Sequence, residues 1–276
     1  MIRRCVIMIK IIEEIINRFS KLPQVEAITL AGSTAFQTED ENSDIDIDVY
    51  INSDIPVFER EIIAKEFADY MEIDNQFWGP GDEWKLRNSE KAIDIIYLDM
   101  KWIKDYLEKV VDRHEASVGY TTCFWHNVID SKIVFDRNGQ LSAIQDKYNV
   151  KYPKELKENI VAKNYPILKK NMSSYYYQIE KAIKRKDLVS VNHRIAALLA
   201  SYFDIIFAIN EIPHPGEKKL IKIINNKCDK IPFNMEKNIA NILNNCMKFD
   251  SKILEEINEL VHNLTELLKR ENIVYI

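Results

Sequence analysis

Residues 43–50 read Ser-Asp-Ile-Asp-Ile-Asp-Val-Tyr, so carboxylates stand at 44, 46 and 48 with an isoleucine between each pair. In a strand, positions i and i+2 share a face about 6.6 Å apart. Asp is a poor strand former, and like charges side by side repel. Such a pattern needs a reason. A calcium loop opens with Asp-x-Asp-x-Asp, but it also needs Gly at its sixth position and Glu at its twelfth. Those positions are Val49 and Ile55. A solvated strand face would be served better by Lys or Thr than by three acids. The third arrangement is a metal site. Two carboxylates on one face can converge on Mg²⁺, which keeps water and substrate phosphate oxygens as its other ligands. The cation supplies the countercharge that the aspartates lack.

Two further features fit that chemistry. Ser33 stands eleven positions before Asp44, in Leu-Ala-Gly-Ser-Thr-Ala-Phe. A strand that ends in Gly32-Ser33 presents backbone N–H groups and a hydroxyl, and glycine lets a phosphate approach closely. Asp94 sits among isoleucines in Lys-Ala-Ile-Asp-Ile-Ile-Tyr-Leu-Asp. A carboxylate within an apolar strand needs a partner or a cation. If its strand neighbours 44–50, Asp94 completes a cluster of three acids. Asp99, at the strand's end, reads as the cap of a following helix.

The elements that must position these residues can be read from periodicity. Residues 9–20 have helical spacing, with Ile11, Ile12, Ile15, Ile16 and Phe19 on one side. Residues 25–31 and 44–51 read as strands, 56–71 as a helix, 83–87 and 92–98 as a hairpin, 101–113 as a helix and 132–136 as a last strand. From 155 to 270 the patterns are helical, broken mainly at Pro166, Pro213, Pro215 and Pro232. The expectation is an α+β fold: a mixed sheet with flanking helices over 1–145, then an all-helical domain over 146–276.

As a set, Gly32-Ser33, Asp44-Ile45-Asp46 and the later strand residue Asp94 resemble the signature of the nucleotidyltransferase superfamily of the DNA polymerase β type. The layout also resembles the small nucleotidyltransferases that modify aminoglycoside antibiotics. Residues 77–84 (Phe-Trp-Gly-Pro-Gly-Asp-Glu-Trp) and 214–219 (His-Pro-Gly-Glu-Lys-Lys) resemble an uncharacterised bacterial branch of that superfamily. The resemblance implies a catalytic domain followed by a helical substrate-binding domain. It implies transfer of a nucleoside monophosphate from an NTP, such as ATP, to a hydroxyl, with Mg²⁺ and release of pyrophosphate. Carried over, Gly32 and Ser33 would hold the NTP phosphates. Asp44, Asp46 and Asp94 would be catalytic metal ligands, Asp94 alternatively serving as the base for the acceptor's proton. Asp48 would support them, or replace one of the first two. Lys219, at an expected helix start with Lys218, is read either as a contact to the triphosphate or as a solvated lysine.

Other residues carry two readings each. Asp82 and Glu83 would attract a cationic acceptor or simply border a hairpin. His214 is either a turn residue or part of an acceptor pocket. Residues 168–171 and 182–187 are basic patches that suit an anionic acceptor or a solvated helix surface. Cys123 and His126 lack matching partners for zinc.

Bulk composition sets limits. The 276 residues are 46% hydrophobic and 29% charged, enough to bury a real core. A net charge of −5 argues against a broad nucleic-acid-coating surface while leaving room for a small basic pocket. Four scattered cysteines fit a reducing, cytoplasmic setting. No run approaches the length of a membrane span, and no membrane partner is expected. The expected acceptor is a small hydroxylated molecule, an aminoglycoside-like antibiotic among them, which would make the protein a resistance enzyme. The alternatives are transfer to tRNA or protein, as in toxin–antitoxin systems, and a non-catalytic nucleotide binder. Oligomeric state is left open.

Overall fold

The computed structural model describes residues 2–31, 44–77, 79–89, 91–246 and 252–273. The chain divides into two compact units, residues 1–108 with 127–150, and 109–126 with 151–276.

The first unit is built on a mixed sheet. Among the described residues it has six strands: β1 (Val25–Ala31), β2 (Ile45–Ile51), β3 (Ala68–Asn75), β4 (Gly81–Leu86), β5 (Ala92–Asp99) and β6 (Lys132–Asp136), in the order β3-β4-β5-β2-β1-β6. Only β2 and β5 run parallel; the other neighbours are antiparallel. Helix α1 (Ile2–Phe19) precedes the sheet, α2 (Val57–Phe67) links β2 to β3, and α3 (Met100–Leu107) follows β5. As expected, the Asp99 carboxylate caps α3, accepting from the Trp102 N–H at 2.6 Å.

One face of the sheet makes the core. Ile45, Ile47, Val49 and Ile51 of β2, Ile93 and Ile95 of β5, and Trp84 of β4 join Ile12, Ile15 and Phe19 of α1. Phe19 stacks on Trp84 with ring centres 6.0 Å apart. Each such side chain contributes about 1.5–3 kcal/mol on burial. The alternation of strand residues then sends Asp46, Asp48, Glu83 and Asp94 to the opposite face.

The helix expected over 56–71 is shorter. It ends at Phe67, and Ala68–Asn75 is a strand at the sheet edge. Its Met71 and Ile73 reach the core while Tyr70 and Glu72 are exposed. A strand with one buried face needs few apolar residues, which left a weak signal. Helix α1 also begins earlier than residue 9.

In the remainder of the chain the helices are α4 (Cys123–Asp130), α5 (Gln140–Tyr148), α6 (Lys154–Tyr165), α7 (Tyr175–Lys184), α8 (Leu188–Ile209), α9 (Leu220–Lys227), α10 (Met235–Asn245) and α11 (Lys252–Arg270). Helix α5 lies in the first unit, α6–α11 lie in the second, and α4 is divided between them at 126/127. The second unit packs around α8, whose Ile195, Leu198, Tyr202, Ile206 and Phe207 are buried with Leu260 and Leu264 of α11. Helix α8 is long and apolar enough to cross a membrane, yet most of that stretch is buried inside this unit.

Residues 109–126, inside the block 1–145 read from the sequence, group with the second unit, which holds their backbone. The buried Asp204 carboxylate accepts from Thr121 N at 3.0 Å and Thr121 Oγ1 at 2.6 Å. Asn164 Oδ1 accepts from Gly119 N at 3.0 Å, and its Nδ2 donates to Ser117 O at 3.0 Å. Gly119 has φ +72, and a Cβ there would lie 3.1 Å from that of Ala200.

Candidate active site

The aspartate alternation places its acids at graded depths along one strand face. Asp44 is exposed just before β2, Asp46 is half-buried, and Asp48 is only 4% exposed. Asp48 is covered from α4, where Asn127 Nδ2 donates to its Oδ2 at 2.9 Å. Burial pushes the Asp48 carboxyl up to about 6, the Asn127 hydrogen bond opposes this, and the charges of Asp46 and Asp94 add to the rise.

Strand β5 supplies the next acid. In the parallel pair Asp46 stands opposite Asp94, between Ile45–Ile93 and Ile47–Ile95. The register continues outward: Asp94 is opposite Glu83 of β4, and Glu83 is opposite Glu72 of β3. Four acids thus form one row across four strands. Facing like charges oppose sheet formation, and the surrounding apolar core must outweigh that cost. A pocket of about 90 Å³ opens beside the row, lined by Asn75, Phe77, Gly79, Gly81, Glu83, Asp94 and Ile96.

The rim of that pocket is fastened from behind the sheet. Asp82 points to the core side and is 1% exposed. Arg60 of α2 donates to Asp82 Oδ1 and to Asp74 Oδ1, both at 2.9 Å. The Asp74 N–H and Tyr97 hydroxyl also donate to Asp82. Burial raises the Asp82 carboxyl despite these donors and the Arg60 charge. Asp82 is therefore a structural anchor and does not share the open face with Glu83, contrary to the pairing read from the sequence. Asp74 itself, at φ 62, turns the chain into the β3–β4 loop.

Gly32 and Ser33 lie outside the described residues. Lys219 lies in the second unit, exposed, with φ 57 at the start of α9. His214 also belongs to the second unit and is wholly buried. Its Nδ1 accepts from Gly216 N at 3.1 Å and lies 3.4 Å from Cys123 Sγ, and its ring packs on Tyr120 and Phe207. Burial, then His126, lowers the His214 imidazole to about 4. Burial, then the Asp204 charge, raises the Cys123 thiol to about 12. This is a neutral structural pair without thiolate character.

The sequence reading did not single out Asn127 and Arg60. Neither residue has a local pattern; each is defined by a carboxylate distant in sequence. Among the described residues, no three Asp, Glu, His or Cys side chains come together in a group that could hold a metal ion, so the expected cluster of three acids is not formed. An open pair of carboxylates, Asp46 and Asp94, with Asp44 exposed nearby in sequence, is the donor set that suits a hard cation shared with water and phosphate.

Residues 13–97, which carry all three acids, match the model of the polymerase β nucleotidyltransferase family. Residues 124–220 match a domain of unknown function, DUF4037. No curated protein matches the chain. Among solved structures, a nucleotidyltransferase-like protein from Exiguobacterium sibiricum 255-15 is similar over 96% of this chain and 75% of its own, at 10% identity and a TM-score of 0.43. Proteins of the polymerase β type generally use divalent metals. Residues 13–97, with the mixed sheet they help to build, thus carry a nucleotidyltransferase domain of the polymerase β type.

Proposed function

We propose that this protein transfers a nucleoside monophosphate from an NTP to a hydroxyl acceptor and releases pyrophosphate. The observation that carries the reading is the parallel register of Asp46 with Asp94 on the open face of the sheet, within the matched segment. Asp44, Asp46 and Asp94 would hold Mg²⁺. When bound, the metal offsets charge on the attacking and leaving oxygens of the displacement. The carboxylates hold that charge in place, and Asp94, bordering the pocket, is placed to take the acceptor's proton. Asn127 donates to Asp48 and occupies one of its oxygens. Gly32 and Ser33 would hold the phosphates, and Lys219 would contact the triphosphate.

The preferred acceptor is a small hydroxylated molecule. Glu83 and Glu72, in line with Asp94, favour one that also carries positive charge, as an aminoglycoside-like antibiotic does. A second reading, transfer to RNA, is favoured by a strongly basic stretch in the second unit. A cytoplasmic setting is supported by the free thiols Cys123, Cys228 and Cys246.

The test mixes purified protein with Mg²⁺, each labelled NTP and an acceptor panel of aminoglycosides, total RNA and cell lysate. A mass gain of one nucleoside monophosphate is expected on a small molecule. Asp46→Asn and Asp94→Asn should each lower transfer at least about 1,000-fold, roughly 4 kcal/mol of barrier, with an unchanged far-ultraviolet spectrum. Full turnover by either variant would overturn the assignment.

A further inference from the structure

Residues 163–186 contain seven Lys or Arg and a single acid, Glu180, in a chain whose net charge is −5. Two other helices carry both signs. Helix α6 opens Lys154-Glu155-Leu156-Lys157-Glu158, and α11 mixes Glu255, Glu256, Glu259 and Glu266 with Lys269 and Arg270. The basic stretch lacks that compensation. Lys184 is paired with Glu180 at 3.0 Å, but Lys181 and Arg185 stand one turn apart on the same face, where like charges weaken a helix.

The basic face also carries aromatic rings. Helix α7 buries Ile179 and Ala182 and exposes Tyr177, Lys181, Lys184 and Arg185. Tyr177 stands edge-on to Tyr176, with ring centres 5.2 Å apart, and is 38% exposed. The Tyr176 hydroxyl accepts from Asn258 Nδ2 at 3.2 Å, which anchors the ring. Lys169 lies 5.2 Å from the Tyr176 ring centre, bringing the preceding segment to the same surface.

Cations spaced along a helix beside a presented ring match a polymer of phosphates and flat bases. We infer that the surface formed by Lys169, Tyr176, Tyr177, Lys181, Lys184 and Arg185 docks a single-stranded polynucleotide. The phosphates meet the cations, and one base stacks on Tyr177. An anionic membrane is the poorer match, because an interfacial helix directs its apolar face into lipid and α7 directs its own into the protein core.

The inference stands apart from the nucleotidyl-transfer reading, since binding is measured without turnover. Fluorescence anisotropy with labelled oligouridine of about 12 nucleotides, and with its deoxy counterpart, reads it. Binding should weaken with salt, the slope falling by about 0.7 per phosphate neutralised. The variant Lys181→Glu/Lys184→Glu/Arg185→Glu should reduce the slope by about 2 and affinity at least about tenfold. Tyr177→Ala should cost about tenfold through lost stacking. Preference between the two oligomers identifies RNA or DNA as the source of the strand. Absence of binding at low salt, equal binding by the triple variant and wild type, or capture by phosphatidylserine vesicles in place of either oligomer would overturn the inference. Asp46→Asn should bind like wild type; a variant that binds yet transfers normally sinks the catalytic reading alone.

Discussion

Asp204 gives a prediction whose size follows from its surroundings. The carboxylate is 1% exposed, and its donors among the described residues are neutral, on Thr121 and Asn164. Burial raises its pKa from 3.8 to about 6, against the pull of the Thr121 hydrogen bonds. The folded state therefore holds the proton more tightly than the unfolded chain. The stability contribution of that bound proton is complete below about pH 4 and is lost as pH rises through about 6. A rise of about two units corresponds to about 3 kcal/mol. In Asp204→Asn the amide oxygen can still accept from Thr121 N. The amide nitrogen can donate to Thr121 Oγ1, which in turn is within 3.4 Å of Ser117 O as its own acceptor. The variant should therefore gain about 3 kcal/mol relative to wild type between pH 4 and pH 7.5. Urea titrations followed by circular dichroism at several pH values measure the difference, and titrations common to both proteins cancel. A variant-minus-wild-type difference constant within about 1 kcal/mol would refute the reasoning, because Asp204 would then hold its proton equally tightly in the folded and unfolded states.

Three other outcomes are expected. Arg60→Met leaves Asp82 buried without its countercharge and should destabilise the protein by about 3–5 kcal/mol; adding Asp82→Asn should restore part of it in the same urea assay. Gly81→Ala places a Cβ 3.0 Å from the Ile95 carbonyl oxygen and should lower stability by about 1–3 kcal/mol, visible as a lower melting temperature. Asp48→Asn removes a buried charge while a carbonyl still accepts from Asn127. It should stabilise the metal-free protein at pH 7.5 by up to about 3 kcal/mol. Its Mg²⁺ affinity by calorimetry should fall far less than that of Asp46→Asn, and equal loss in both variants would make Asp48 a ligand.

How much of this was legible depended on whether the cause was local. The Asp-Ile alternation of 44–48 is a period-two pattern, and the strand follows with its isoleucines in the core. The same test applied to Asp94, one acid among isoleucines. Applied further, it would have found Asp204 in Ala-Ser-Tyr-Phe-Asp-Ile-Ile-Phe-Ala-Ile, an acid equally isolated in an apolar run. Strand β3 escaped because an edge strand buries one face only. The capture of 109–126 by the second unit escaped because its hydrogen bonds join residues 45 and 83 positions apart. Arg60 and Asp82 were hidden for a similar reason: Glu83 and Asp82 are neighbours in sequence, yet a strand sends them to opposite faces.

That last point bears on what the acidic face is for. Asp82, Asp48 and Asp204 each have their oxygens occupied by protein donors and are covered by packing. Their roles are complete within the fold. The row Glu72, Glu83, Asp94, Asp46 lines up acids from four strands along an open face beside a pocket. Core packing gains nothing from that alignment, and cross-strand repulsion opposes it. A cation at the Asp46–Asp94 end would convert the repulsion into attraction. The Glu83–Glu72 end can then select acceptors by charge, so that metal and acceptor would be recognised along one line of side chains set by strand register alone.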